Sequence, residues 1–136
     1  LGVWAVTGNH EFYGEVAETL AEFEAGGVRW LRDAHAEIAP GLVLTGIDDI
    51  GRAMRRESDL VRPLERVLAT RPEGASILLA HIPATPMIEQ AARQGVDLML
   101  SGHTHGGQIW PFDYAVRSRF PHLVGVHDID GMTLVI

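Results

Sequence analysis

Two short, largely apolar runs constrain the fold of this chain more than any other feature of its sequence. They are Ala75–Ala80 and Val96–Leu100. Runs of this length are typical of strands that are covered on both faces, as in a domain that layers helices over sheets. Each run is followed by a polar loop that contains histidine: His81 after the first, and Gly102-His103-Thr104-His105 after the second.

The rest of the chain alternates between strand and helix patterns. Apolar spacing and turn residues predict further strands at Val3–Val6, Val28–Leu31, Leu42–Ile47 and Met132–Ile136, the last paired through a turn at Asp130-Gly131 with Val124-Gly125-Val126. Helices are predicted over Glu15–Ala25, from an N-cap at about Asp59 with Pro63 in the first turn, and from a Thr85 cap to Gly95, with Arg52–Glu57 as a charged connection. This order predicts a mixed α/β or α+β domain.

Composition narrows the chemistry. The chain has 136 residues, enough for one domain, and its net charge of −7 argues against a protein that binds nucleic acid through phosphate contacts. It has no cysteine, which excludes thiolate zinc sites and a cysteine nucleophile. Any metal ligands must therefore be His, Asp, Glu, Asn or backbone oxygen. No apolar stretch approaches the roughly 20 residues that a bilayer-spanning helix needs.

Three strand-terminal loops carry the candidate chemistry. In an extended segment His103 and His105 would point to the same side, and the glycines around them allow a tight turn beside a metal or phosphate. His81 follows one buried strand, and Asn9-His10 follows the first strand of the chain. Taken singly, the H-x-H segment fits a solvated turn as well as a ligand pair, whereas His81 fits a structural histidine better and Asn9-His10 fits an Asn-centred turn better. Because the ends of adjacent strands meet in one crevice, we expect the three loops to converge.

The ordered set of Gly8-Asn9-His10-Glu11, an isolated His81 and Gly102-His103-Thr104-His105 resembles the C-terminal signature of the calcineurin-like metallophosphoesterase superfamily. Tyr13 and Gly106-Gly107-Gln108-Ile109 are similar to its YkuE-like bacterial branch. The resemblance implies that residues 1–136 are the C-terminal part of a single metallophosphoesterase domain. That domain would be a four-layer αββα sandwich whose N-terminal portion is absent from this sequence.

The resemblance also implies roles for individual residues. Asn9, His81 and His103 would bind one ion of a dinuclear centre of Mn, Fe, Zn or Ni, and His105 would bind the other. His10 would be catalytic, stabilising the leaving group or giving it a proton. A hydroxide bridging the two ions would attack the phosphoester, as in a phosphodiesterase or pyrophosphatase.

The substrate class implied is a small phosphoester or a lipid-linked phosphate such as UDP-2,3-diacylglucosamine, with membrane association through segments outside this chain and no nucleic-acid partner. Trp110-Pro111-Phe112-Asp113-Tyr114 would form an apolar wall for an acyl chain or, as we favour, simply pack the site loop. The sequence leaves the cellular compartment and the native metal open.

The chain departs from the family pattern at one point. The family's D-x-H and G-D-x-x-D blocks stand upstream of G-N-H, where this sequence has only residues 1–7. An alternative is therefore a catalytically incomplete fragment that binds metal or a partner. Asp33-Ala34-His35 and Gly46-Ile47-Asp48-Asp49 imitate the missing blocks, but we interpret them as surface and turn residues.

Other interpretations fit less well. A metallo-β-lactamase-like protein places Asp-His directly after its H-x-H motif, where this chain has Gly106-Gly107. Amidohydrolases place H-x-H near the start of the fold, before their other ligands. We interpret Asp113, His122 and His127 as structural or solvated residues.

Overall fold

The computed structural model of the chain describes residues 2–13, 16–49, 57–107, 110–111 and 113–136. Its strands are β1 (Val3–Ala5), β2 (Val28–Trp30), β3 (Ala34–Ala39), β4 (Leu42–Ile47), β5 (Ala75–Ala80), β6 (Leu98–Leu100), β7 (Val126–Ile129) and β8 (Met132–Val135). Its α-helices are α1 (Val16–Ala25), α2 (Glu57–Leu68), α3 (Thr85–Arg93) and α4 (Asp113–Arg119), with short 3-10 turns at His10–Tyr13 and His105–Gly107.

The strands form two sheets. β1 and β2 pair in parallel as a two-stranded sheet, and the others form a six-stranded sheet in the order β3-β4-β5-β6-β8-β7. Within the larger sheet β4, β5, β6 and β8 are parallel, whereas β3 and β7 are antiparallel edge strands. The parallel centre explains why β5 and β6 are so apolar. The predicted α/β class is confirmed.

Helices α2 and α3 cover one face of the six-stranded sheet and form the main core. Leu64 of α2 and Ala91 of α3 are fully buried against Leu78, Met99 and Leu134 of the central strands. Burying an aliphatic side chain of this size contributes roughly 1.5–3 kcal/mol. This core fixes the carboxyl ends of β5 and β6, from which His81 and His103 follow.

The two-stranded sheet packs on the other face of the large sheet, and Gly46 of β4 marks the contact. A Cβ placed on Gly46 would lie 2.3 Å from Leu31 Cβ and 2.7 Å from Val6 Cγ1, so only glycine permits this approach. Trp30, the neighbour of Leu31, points the other way and contacts Phe23 of α1 edge to face, with ring centroids 5.9 Å apart. The layers therefore run from α1 through the two sheets to α2 and α3.

Several helix boundaries differ from the sequence predictions. α2 begins at Glu57, so Asp59 is not its N-cap and Pro63 lies in the second turn rather than the first. An interior proline removes a helical hydrogen bond, and the burial of Leu64, Val67 and Leu68 offsets that loss. In α3 the N-cap is Ala84, with Thr85 as the first helical residue.

Two elements were not predicted. β3 includes Ala34 and His35, which belong to the D-x-H-like segment Asp33-Ala34-His35. The alanines and glutamate of β3 have low strand propensity, so its strand conformation depends on pairing with β4. α4 is only seven residues long, too short for a clear apolar period. Gly95 ends α3 as predicted, because the Val96 and Gly95 N–H groups bond to the carbonyls of Ala91 and Ala92 in a Schellman motif.

The predictions for Glu15, for the connection 52–56 and for Gln108, Ile109 and Phe112 lie outside the described residues. None of the helices within the described ranges combines the length and the hydropathy that a membrane span requires.

Candidate metal centre

The three histidine-containing loops meet at one place between the two sheets. Asn9 lies in the loop after β1, His81 directly follows β5, and His103 follows β6. β5 and β6 are neighbours in the large sheet, but β1 belongs to the small one. The prediction that the three loops converge is therefore correct. The expectation that they follow neighbouring strands of one open sheet is wrong, because the crevice lies where the ends of two packed sheets face each other.

Three side-chain atoms form the centre of this crevice. Asn9 Oδ1 lies 2.8 Å from His81 Nε2 and 3.2 Å from His103 Nδ1, and the two nitrogens are 3.2 Å apart. Neutral imidazole nitrogens carry either a proton or a lone pair, and an amide oxygen carries only lone pairs. No tautomer gives a hydrogen bond along all three edges of this triangle. In the absence of a cation, at least one edge of the triangle therefore brings together two lone pairs or two N–H groups.

The triangle fits a divalent cation. Ligands that occupy neighbouring positions around an ion at about 2.0–2.2 Å are themselves roughly 2.8–3.1 Å apart in octahedral geometry. The 2.8 Å spacing between Asn9 and His81 lies in this range, and the two 3.2 Å spacings to His103 lie just above it. Imidazole nitrogens with an amide oxygen suit Zn, Mn, Fe or Ni. The converging donors are an amide and two imidazoles, and within the described residues no three or more imidazole and carboxylate groups gather as a metal site.

Burial favours the neutral form of the two imidazoles. It is the largest cause lowering the pKa of both His81 and His103 below the usual value of 6.5. The Asp49 carboxylate acts in the opposite direction, and the imidazoles of His10 and His105 lower both pKa values further. Deprotonated rings are the form that coordinates metal.

The backbone around His103 is coiled rather than extended. His103 and His105 have positive φ values of 67° and 49°, and Gly106 and Gly107 follow at 64° and 89°. The expectation that an extended segment points both histidines to one side is therefore wrong. The buried Thr104 hydroxyl donates to the Leu123 carbonyl and secures this turn. Left-handed backbone at two non-glycine residues is strained by about 1 kcal/mol or more each.

Gly8 permits the approach of Asn9 to His81. A Cβ at this position would lie 3.1 Å from His81 Cε1 and 3.1 Å from Glu11 Oε2. The Gly8 N–H donates to the Glu11 carboxylate, which closes the 3-10 turn that begins at His10. The G-N-H-E sequence thus holds Asn9 through its first and last residues.

His10 and His105 lie at the rim of the crevice. Both are solvent-exposed, and each begins a 3-10 turn. Both are close enough to His81 and His103 to act on them electrostatically. The structure therefore brings all five predicted site residues to one crevice, three in direct contact and two around them.

Sequence reasoning missed Asp49 as a neighbour of this crevice. β4 and β5 are parallel, with Ile47 opposite Ala80, so Asp48-Asp49 continues beside His81-Ile82. Asp49 and His81 line the same small cavity. The interpretation of Asp48 and Asp49 as surface and turn residues is wrong, because both are partly buried at the site. The sequence feature that could have revealed Asp49 is that it follows Leu42–Ile47, a predicted strand whose carboxyl end lies at the same edge of the sheet as that of Ala75–Ala80.

The remaining candidates lie elsewhere. Asp33 pairs with Arg66 at 3.5 Å, and His35 lies 3.4 Å from the Thr70 hydroxyl on the outer edge of the sheet. The rings of His122 and His127 contact each other in a tilted arrangement, with centroids 4.6 Å apart and planes at 59°. Burial, followed by the electrostatic effect of His127, lowers the pKa of His122.

The aromatic segment after the site loop does not pack the loop as expected. Trp110 is 80% exposed and Tyr114 is 68% exposed. The Trp110 ring, just before α4, and the Tyr114 ring, within α4, are therefore both exposed on the surface.

Comparison with known proteins gives the chain its family. The model of the calcineurin-like phosphoesterase family matches residues 1–107, which include all five residues of the crevice. The chain belongs to the calcineurin-like phosphoesterase family. It is 34% identical over 99% of its length to a bovine protein named transmembrane protein with metallophosphoesterase domain, and it covers 33% of that protein. No solved structure matches the chain.

Bacterial family members are similarly related. An Aquifex aeolicus metallophosphoesterase is 36% identical over 85% of the chain, which covers 43% of that protein. A metallophosphoesterase of Helicobacter pylori is 30% identical over 98% of the chain, which covers 35% of it. The chain thus spans about a third to two fifths of the length of these relatives.

Proposed function

We propose that this chain forms part of a metal-dependent phosphoester hydrolase, with Asn9, His81 and His103 holding one divalent ion and His105 helping to hold a second. The observation that supports this most is the triangle of donor atoms at 2.8–3.2 Å. Family membership supports the reaction class. Residues 1–136 would be the C-terminal part of one metallophosphoesterase domain, in keeping with the share of its relatives that the chain covers.

The proposed roles divide between binding and proton transfer. When bound, the two ions would supply Lewis-acid activation of the phosphoester and of water. Asn9, His81 and His103 would hold one ion from three loops, and this would determine where a phosphoryl group binds. His10 is exposed at the rim, and its imidazole would donate a proton to the departing oxygen.

A lipid-linked phosphate such as UDP-2,3-diacylglucosamine is the proposed substrate class. The support is the exposed pair Trp110 and Tyr114, which follow the His105 turn and can contact an acyl chain. The bovine relative is named as a transmembrane protein, and this supports association of the whole protein with a membrane.

The roles are tested by exchanging single histidines in the whole protein. His103→Ala should remove bound metal and reduce turnover of bis-p-nitrophenyl phosphate together. His10→Ala should reduce turnover by about 10²–10⁴-fold with metal content unchanged, because general acid catalysis contributes about that much. His122→Ala, outside the crevice, is the matched control. Full metal content and turnover in His103→Ala would contradict the proposal.

The substrate class needs a separate comparison. We expect Trp110→Ala to lower kcat/KM for a lipid pyrophosphate and to leave turnover of bis-p-nitrophenyl phosphate unchanged. Equal effects on both substrates would show that this aromatic side chain does not select a lipid. Absence of any hydrolysis by metal-loaded whole protein would favour the catalytically incomplete alternative.

A further inference from the structure

A hydrogen-bonded network lies beneath the Asn9 loop and joins the two sheets. The side chain of Thr7 is fully buried, two residues before Asn9. Its hydroxyl donates to Asp48 Oδ1 at 2.5 Å and accepts from the Asp49 N–H at 2.9 Å. Both hydrogen-bonding functions of this buried hydroxyl are therefore used, and both lead to the residues that follow β4.

Asp48 is the centre of the network. Arg32 donates to it in a bidentate arrangement, through Nη2 at 2.6 Å and through Nε at 2.9 and 3.1 Å. The Asp48 N–H in turn donates to Asp33 Oδ1 at 3.1 Å. Hydrogen bonds between charged groups are about twice as strong as neutral ones, and the fork of arginine also fixes orientation. The pKa of Arg32 is raised, mainly by this hydrogen bond to Asp48.

The network connects the chain segments that carry the candidate ligands. Thr7 follows β1 and Arg32 follows β2, both in the small sheet, whereas Asp48 follows β4 of the large sheet. The small sheet has two strands of three residues each, so little backbone pairing holds it in place. Among the described residues, Leu31 and Val6 also lie close to Gly46 of the large sheet, and their apolar side chains impose no hydrogen-bond geometry on that contact.

The consequence concerns the distance between Asn9 and His81. Asn9 is carried by the small sheet, and His81 and His103 by the large one. A displacement of one sheet against the other by a fraction of an ångström would open the donor triangle. We propose that Asp48, held by Thr7 and Arg32, is a positioning residue that sets the Asn9 loop against His81 and His103. This inference rests on the proposed function, because its effect on metal affinity requires that these residues bind metal.

The test compares variants of the whole protein with Mn²⁺ as the probe. Thr7→Val keeps the shape of the buried side chain and removes the hydroxyl, whereas Thr7→Ser keeps the hydroxyl. We expect Thr7→Val and Asp48→Asn to weaken Mn²⁺ affinity by about 10–100-fold, as supporting residues of metal ligands commonly do. Thr7→Ser should stay within about threefold of the unaltered protein. Arg93→Gln, which breaks the surface pair with Glu89, is the control and should have no effect.

A second measurement does not depend on metal. In metal-free protein, amide hydrogen exchange of residues 8–10 should accelerate by about tenfold or more in Thr7→Val and not in Thr7→Ser or Arg93→Gln. If Thr7→Val fails to fold, Arg32→Gln takes its place, because Arg32 is partly exposed and its loss leaves the buried hydroxyl intact.

The outcomes separate the two proposals. Faster exchange in Thr7→Val without any Mn²⁺ binding by the unaltered protein would support the positioning role and contradict the metal site. Unchanged exchange and unchanged Mn²⁺ affinity in Asp48→Asn would overturn the positioning role. Equal losses in Thr7→Ser and Thr7→Val would also overturn it, because the hydroxyl would then not be what matters.

Discussion

At the scale of single residues, the centre depends on small distances around His81. Its Nε2 lies 2.8 Å from Asn9 Oδ1 and 3.2 Å from His103 Nδ1. A Cβ placed on Gly8 would lie within 3.2 Å of two carbons of the His81 ring. The ring has little room to move. Glycine at position 8 is therefore as much a part of the site as the ligands themselves.

Gly8→Ala should push the His81 ring away from Asn9 and lower Mn²⁺ affinity by about tenfold or more, the range found when the surroundings of metal ligands are altered. Isothermal titration calorimetry measures this directly. Gly102→Ala is the matched control, because a Cβ there meets no atom within 4 Å. Equal affinities of Gly8→Ala and the unaltered protein would contradict the packing argument.

The lowered pKa values of His81 and His103 predict a pH dependence of stability in metal-free protein. Their folded pKa values lie below the unfolded value of about 6.5, so below that pH the unfolded chain binds more protons. This contribution to stability is complete above about pH 6.5 and is lost as the pH falls towards the folded pKa values. The thermal midpoint in EDTA should therefore decline between pH 7.5 and 5. The decline should be shallower in a His81→Gln/His103→Gln double variant, and identical slopes would refute the assignment.

At the scale of elements, local chemistry predicted some features and tertiary contacts decided others. The Asp130-Gly131 turn was predictable because Asp-Gly favours the positive φ values that a type I′ hairpin requires. The two residues do take positive φ, at 52° and 88°. β5 was predicted from its apolar run with its correct bounds. β3 and the interior position of Pro63 were not, because pairing with β4 and burial against the sheet override local propensity there.

Gly46 makes the strongest prediction at this scale. Gly46→Ala would place Cβ 2.3 Å from Leu31 Cβ and 2.6 Å from the Leu31 carbonyl oxygen, and backbone cannot move aside cheaply. We expect a loss of about 2 kcal/mol or more in the free energy of unfolding, measured by urea titration. Gly102→Ala should change it by less than about 0.5 kcal/mol. Equal stabilities of the two variants would show that the sheets do not approach as closely as described.

At the scale of the whole molecule, the site lies between two sheets rather than along one. The sequence motifs predicted which side chains converge, because each motif directly follows a strand. They could not predict the partition of strands between sheets or the Thr7–Asp48–Arg32 network, whose members are 16 to 41 residues apart. Such contacts depend on packing that no local pattern encodes.

The charge of the converging donors leads to a prediction for the 136-residue chain itself. Among the described residues the convergent ligands are two imidazoles and an amide, with no carboxylate grouped among them as a ligand. Neutral donors bind a dication weakly compared with a site that includes carboxylates. Calorimetric titration with Mn²⁺ should therefore give weak or substoichiometric binding. Two tight sites would contradict this account of the ligand set.

The most direct test of the central claim is the position of a bound ion. Crystals of the whole protein grown with Mn²⁺ and measured at the manganese absorption edge should show an anomalous peak about 2.0–2.3 Å from Asn9 Oδ1, His81 Nε2 and His103 Nδ1. A protein loaded with manganese whose anomalous peaks all lie away from these three atoms would contradict the claim.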